Sequence, residues 1–185
     1  IASGSALTAA QFLQPGRLAQ VGVDTGAPLL AQIGRLAGFT SIFANFETIV
    51  VLLLAWIIVI LSFFVLSVQL FITLIEFKLT TLGGFILVPF ALWSKTAFLA
   101  ERVLGNVVSS GVKVLMLAVI VGISTTVFND FRAAVGTTPT MEQASAVMLA
   151  ALAMLGLGIF GPRIATGLVS GAPQLGAGAA AGTIM

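Results

Sequence analysis

The chain has 185 residues, 59% of them hydrophobic and only 8% charged, and its formal charge is +2. Soluble domains carry roughly 25% charged residues, so this chain has too little polar surface to be one, and so small a charge gives no basic field of the kind that announces nucleic-acid binding. It has no Cys and no His, which removes disulfides, thiolate chemistry and the commonest general base and metal ligand.

Long apolar runs dominate what remains. About 20 apolar residues cross a hydrocarbon core of about 30 Å as a helix. The runs are continuous, where a membrane barrel would alternate apolar and polar residues. The predicted fold is therefore all-α and polytopic, with about three full spans and a short Pro-containing re-entrant or interfacial helix.

Residues 1–46 form an N-terminal segment of mixed character. Residues 1–20 lack the apolar core of a signal peptide. Gly4, Pro15-Gly16, Gly22, Gly26-Ala27-Pro28, Gly34 and Gly38 interrupt every candidate long helix. Leu29, Leu30, Ile33, Leu36 and Ala37 still recur at helical spacing, with Gln32 and Arg35 opposite. Such an amphipathic piece belongs at a membrane surface or against a neighbouring subunit, the alternative being a partly ordered tail whose Leu residues merely cover the first span.

The membrane domain covers residues 47–163. Between Glu47 and Glu76 there is no charge, which predicts a first span longer than a perpendicular crossing needs. Ser62, Gln69 and Thr73 form a polar stripe on it that continues to Glu76. Lipid disfavours such a stripe, so it should meet another helix or line a pore.

Residues 76–113 form a polar elbow. It holds six of the eight basic and six acidic residues of the chain: Glu76, Lys78, Lys95, Glu101, Arg102 and Lys113. Its apolar centre is broken by Gly83-Gly84 and Pro89, which predicts a turn at the glycines and a new helix from Phe85 to Val108. Trp93 and Lys95 suit a membrane interface. Lys113 stands inside the next apolar run, either snorkelling, or as a cation at a pore mouth, or paired with Glu76 or Glu101. Glu101 and Arg102 point about 100° apart on a helix and do not face each other. The elbow is the candidate channel or partner-contact surface.

The second clear span, from Val107 to Phe128, should end before Asn129-Asp130. Thr140 followed by Gln143 has the form of a capping box. A last span then runs from Ala144 to Phe160, closed by Pro162 and Arg163. Its small residues Ala146, Ala150 and Gly158 are the candidate subunit contact, since small side chains let helices approach closely in lipid. Residues 164–185 form a Gly/Ala-rich tail.

If residues 79–94 turn back rather than cross, Lys78, Lys95, Arg102, Lys113 and Arg163 share one side and Arg17, Arg35 and Arg132 the other. The excess of basic residues then places the elbow and C-terminus in the cytoplasm and the N-terminus outside. If residues 79–94 cross, the N-terminus, Lys95, Arg102 and Arg163 face inward instead.

Gly156-Leu157-Gly158-Ile159-Phe160-Gly161 matches GxGxxG, but it lies inside an apolar helical run with no acidic residue after it, unlike a dinucleotide site. No nucleophile–base pair and no metal-ligand cluster is visible, so no enzyme, cofactor or metal site is expected.

The run LTTLGGFILVPFALWSKTAFLAERVLGNVVSSGVKVLMLAVIVGI at residues 79–123 resembles the TrbL family, polytopic inner-membrane subunits of conjugative type IV secretion systems. A looser similarity continues through GTTPTMEQASAVMLAALAMLGLGIFGPRIATGLVSGAP at 136–173. The resemblance implies a bacterial inner-membrane subunit at the base of a secretion channel, with roles in substrate passage and pilus assembly. It further implies a homo-oligomeric, five-fold ring with a periplasmic N-terminus, partnered by membrane lipid, other secretion-system subunits and pilin, and in transient contact with transferred single-stranded DNA. The alternative is a small secondary transporter or ion-channel subunit. That reading needs inverted repeats or broken helices meeting at mid-membrane, and no second copy of the Gly83-Gly84/Pro89 break is present.

Overall fold

A computed structural model describes residues 14–38, 43–93, 95–135 and 138–170. In chain order these form α1 (Pro15–Leu36), α2 (Phe46–Leu87), a 3-10 turn (Val88–Leu92), α3 (Ala97–Val135) and α4 (Met141–Ser170), with no strand among the described residues. Three stretches are long and apolar enough to cross a membrane: Phe46–Leu92, Ala97–Ala134 and Met141–Gly167. The all-α, polytopic reading therefore holds, and the chain is a multi-pass membrane protein.

The spine is α2, 42 residues with no proline. In lipid no water pairs with exposed backbone groups, so a long apolar run satisfies them as a helix. Its buried side carries Leu52, Ala55, Val59, Ser62, Phe63, Leu66, Ser67, Leu70 and Thr73, recurring every three or four residues. The helices α1, α3 and α4 all pack on it, and α3 also packs on α4. At the centre, Phe63 of α2 meets Phe128 of α3 edge to face, with ring centroids 4.8 Å apart and planes at 70°. On α4 the inward face is small: Ala144, Val147, Ala151, Gly158, Gly161 and Ala165 are buried. A Cβ on Gly158 would collide with Leu66 Cδ1, and one on Gly161 would meet Ile120 Cδ1 at 2.6 Å. Lipid supplies no hydrophobic drive between helices, so close approach of this kind is what holds them.

Four expected boundaries are corrected. First, Gly16, Gly22, Gly26 and Gly34 do not break the N-terminal segment: α1 is one helix of 22 residues that runs through Pro28, and Gly4 lies outside the described residues. Gly22 and Gly26 are instead contact points with α2, where a Cβ would meet Phe63 Cβ at 2.5 Å and Trp56 Cδ1 at 2.9 Å respectively. Ser67 Oγ donates to the Pro15 carbonyl at 2.6 Å, so α1 lies antiparallel along the first half of α2. Of the amphipathic face of α1, Leu29 is buried and Ile33 and Leu36 half-buried within the same chain, while Leu30 and Ala37 stay exposed.

Second, no turn forms at Gly83-Gly84. Both are helical within α2, and Gly84 gives room to Val103 and Val107, which stand 3.2 and 3.3 Å from where its Cβ would be. The reversal comes later. Pro89 removes a backbone donor, the chain tightens into the 3-10 turn, and Thr96 closes the corner by donating its hydroxyl to the Phe90 carbonyl at 2.8 Å and its N–H to the Trp93 carbonyl at 2.9 Å. Residues 79–92 therefore continue the first span and do not form a helix of their own starting at Phe85.

Third, α3 passes through Asn129-Asp130 to Val135. Fourth, α4 passes through Pro162 to Ser170; a proline costs only its own hydrogen bond where neighbouring helices hold the rest. The capping box is as expected: Thr140 N–H donates to Gln143 Oε1 at 3.0 Å and Gln143 N–H to Thr140 Oγ1 at 3.3 Å. The expected tail beyond residue 170 lies outside the described residues.

Gly22→Val should push α1 off α2, because the neighbouring Phe63 Cβ cannot swing away. A loss of about 1–3 kcal/mol is the usual cost of overpacking. Gly16→Ala, with nothing within 4 Å of the new Cβ, should leave stability unchanged. Thermal unfolding of both variants in detergent tests this, and equal midpoints would contradict it.

Candidate functional site

The elbow is a helical hairpin. The last turns of α2, the 3-10 turn and the first turns of α3 run out and back, so Lys78, Lys95, Arg102 and Lys113 stand at one end of the molecule. Arg163 belongs to the same end, since nearby Gly161 lies against Ile120 and Met116 of α3. Arg35 and Arg132 stand toward the other end. Arg17 departs from that division: two residues before it, Pro15 is bonded to Ser67 in the middle of α2.

At the base of the hairpin Lys113 Nζ donates to Glu76 Oε1 at 2.6 Å. The side chains are 22% and 44% exposed, so the pair is partly withdrawn from solvent. Of the two expected partners for Lys113, the geometry selects Glu76. Phe77 packs beside the pair against Gly111, 3.4 Å from where a Cβ would be. Higher up, Thr80 and Thr81 donate their hydroxyls to the carbonyls of Glu76 and Phe77 at 2.7 and 2.8 Å, which hides their polarity within the helix.

Beyond the pair the hairpin is apolar on much of its outside. Phe85 is 81% and Leu92 92% exposed, and Leu82, Ile86, Trp93 and Leu104 are exposed as well. A pocket of about 170 Å³ opens between its arms, lined by Thr81, Gly84, Phe85, Val88, Val103 and Val107 among others. Lys78, Lys95, Glu101 and Arg102 are all exposed. Among the described residues none of the four makes an ion pair. Glu101 and Arg102 thus face neither each other nor another helix of the same chain.

The polar stripe of α2 packs inside the bundle. Ser62 and Thr73 are buried and Gln69 is half-buried. Thr73 Oγ1 donates to the Gln69 carbonyl at 2.8 Å. Among the described residues Ser62 Oγ has no hydrogen-bond partner, and it borders a small gap with Ser124 and Met154. Among the small residues of α4, Gly158 is used inside the chain against Leu66, Ala150 is half-buried and Ala146 is exposed. The three do not share one face.

A second polar feature was not singled out from sequence. Asp24, Pro28 and Arg35 of α1 and Asn129 and Arg132 of α3 line an open cleft of about 570 Å³. Its members are distant in sequence. The nearest local signal is Pro28, which deprives the Asp24 carbonyl of its intrahelical donor.

The Glu76–Lys113 pair should behave as a coupled unit. Glu76→Gln and Lys113→Gln should each destabilise, and the swap Glu76→Lys with Lys113→Glu should recover most of the loss. A coupling of about 1 kcal/mol is the upper end for partly solvated pairs. A double-mutant cycle by thermal unfolding in detergent reads this, and additive losses would contradict it.

The family model of the TrbL/VirB6 plasmid conjugal transfer protein matches residues 1–161. No curated protein and no solved structure matches the chain.

Proposed function

The chain belongs to the TrbL/VirB6 plasmid conjugal transfer family, and on that premise we propose that it is an inner-membrane channel and scaffold subunit of a conjugative type IV secretion system. Family membership makes it a conjugal transfer component. The finer reading is a homo-oligomeric ring, five-fold by family resemblance, that takes part in substrate passage and pilus assembly. Its partners are pilin and other secretion-system subunits, with transient contact to the transferred single strand. The reading assigns it no catalytic step and no cofactor.

One observation carries this reading: the hairpin is too long and too charged to end in lipid. The apolar stretch Phe46–Leu92 has 47 residues, about 70 Å at 1.5 Å per residue. Tilted by about 40°, the upper end of the usual range, it still rises about 54 Å, against a hydrocarbon core of about 30 Å. Part of it stands outside the bilayer. We place the bilayer on the charge-free stretch of α2 between Glu47 and Glu76, with the Glu76–Lys113 pair at one face. The hairpin beyond then projects from the membrane, into the cytoplasm by the distribution of basic residues. Its exposed apolar side chains need a protein cover, and its unpaired charges need a polar partner. An oligomeric ring with further subunits supplies both. Ala146, the exposed one of the three candidate contact residues on α4, is free to meet a neighbouring copy.

A transporter would place its helix break at mid-membrane. Here the 3-10 turn caps the tip of the hairpin, which favours the secretion subunit.

Replacing Lys78, Lys95 and Arg102 together by Ala should lower plasmid transfer by about tenfold or more, the effect of roughly 1.4 kcal/mol at a docking surface. Protein level in the membrane should not change. Conjugation frequency measured beside a membrane immunoblot is the test. Unchanged transfer by the triple variant would remove the hairpin charges from the function.

A further inference from the structure

The helix α1 is in an odd place for its composition. It carries Arg17, Gln20, Asp24, Gln32 and Arg35 and is not among the stretches apolar enough to cross a membrane. Yet it runs beside the most apolar part of the chain. Its Pro15 carbonyl is held by Ser67, Gly22 lies against Phe63 and Gly26 against Trp56. Those partners all fall in the charge-free stretch of α2. Phe63 is 13 residues before Glu76 in the sequence, so Gly22 lies about 20 Å along α2 from the ion pair. At this depth α3 is also polar on one side. Phe128 meets Phe63, and one helical turn later Asn129, Asp130 and Arg132 are exposed.

The other side of the molecule at the same depth is dry. Leu54, Ile57, Leu61 and Phe64 of α2 and Leu152 and Phe160 of α4 are exposed and apolar. The cross-section is therefore two-sided: α2 and α4 expose large apolar side chains, whereas α1 exposes Arg17, Gln20 and Arg35 beside Val23 and Leu30, and the end of α3 exposes Asn129, Asp130 and Arg132.

Charged side chains facing acyl chains are costly, and in membrane proteins they turn toward water or toward one another. Asp24 and Arg132 do not take the second option with each other. Asp24 and Arg132 line the same cleft, yet they are more than 4 Å apart, and neither makes an ion pair or a side-chain hydrogen bond among the described residues. The Asp24 carbonyl, without its donor because of Pro28, adds another acceptor on a residue that lines the cleft. An open cleft of about 570 Å³, walled by Asp24, Arg35, Asn129 and Arg132 together with Pro28 and three alanines, has room for many waters.

We infer that the outer face of α1 and the α1–α3 cleft form an aqueous surface at bilayer depth, the side of each protomer that borders a water-filled conduit. α1 is the lining helix, and α2 and α4 face lipid. The inference rests on the bilayer placement proposed above, and it adds which helix meets water.

The absence of native Cys makes single-cysteine variants unambiguous. Val23, 57% exposed on α1, and Leu61, 52% exposed on α2, stand at similar depth on opposite sides. Val23→Cys and Leu61→Cys are expressed in cells carrying the whole secretion system, and isolated membranes, open to both faces, are treated with a charged thiosulfonate reagent. The same variants carrying a bimane label are challenged with brominated phospholipid.

Val23→Cys should react at least about tenfold faster than Leu61→Cys, and brominated lipid should quench the label at Leu61 but not at Val23. Gln20→Cys, also exposed on α1, repeats the measurement if Val23→Cys does not accumulate. Quenching at Leu61 together with an unreactive Val23→Cys overturns the aqueous face and leaves the bilayer placement standing. No quenching at Leu61 overturns the placement itself. Reaction of Val23→Cys only after detergent dispersal would make α1 a contact between subunits and would also overturn the inference.

Discussion

Everything in this fold leans on α2, a helix longer than the membrane it crosses. The helices α1, α3 and α4 each pack on it, and its length sets where each of them can end. The apolar stretch that includes it exceeds the hydrocarbon thickness about twofold. The excess has to go somewhere, and it forms the outgoing arm of the hairpin. α4 does not follow it. The described part of α4 ends at Ser170, about 13 Å beyond Gly161. Gly161 sits level with Met116, and from there α3 reaches back about 28 Å to its start at Ala97. Among the described residues the hairpin tip therefore has only its own two arms for support. This is why its internal contacts are close: Gly84 under Val103 and Val107, Gly111 under Phe77, and the Glu76–Lys113 bond at the base.

The ion pair has more than one consequence. It neutralises two charges where the hairpin leaves the three-helix bundle, and it locks the register of α2 against α3. Below it the bundle is held by shape: an edge-to-face ring pair at the centre and an α4 face of Ala and Gly that lets Leu66 and Ile120 come close. Above it the charges Lys78, Lys95, Glu101 and Arg102 are left over, exposed among large apolar side chains. A surface of mixed character on a projecting hairpin is suited to docking, where apolar anchors supply contact area and charges set partner and orientation. On the opposite side of the ion pair, α1 gives the bundle a polar flank. Projection at one end and a polar flank along the side are the two features on which the proposed ring-forming channel role rests.

The spans were legible in the sequence because lipid reads composition directly. The capping box at Thr140 and Gln143 was legible because it closes within four residues. The Lys113 partner was legible to within two acids, since few charges exist to choose from. What failed were local rules overridden by distant contacts. Gly22, Gly26 and Pro28 read as breakers of α1, but Phe63 and Trp56 of α2 need the missing side chains, and the helix survives. Gly83-Gly84 read as a turn for the same reason, while Gly84 makes room for Val103 and Val107. The turn instead follows Pro89, where the lost donor is not replaced by packing. The α1–α3 cleft was not visible at all, because Asp24 and Arg132, distant in sequence, are brought to one cleft only by the packing of α1 and α3 on α2 and on each other.

The position of the bilayer along α2 decides most of this, and a depth profile measures it directly. Nitroxide labels on single-cysteine variants at exposed positions from Leu53 to Leu92, in reconstituted membranes, would be read by their collision rates with oxygen and with a water-soluble nickel chelate. The proposed placement predicts that oxygen dominates at Leu53, Leu61, Val68 and Ile72, and that the nickel chelate takes over at Lys78 and beyond. An oxygen maximum at Phe85 and Ile86, with the chelate reaching Leu61, would put the hairpin inside the membrane and contradict the account.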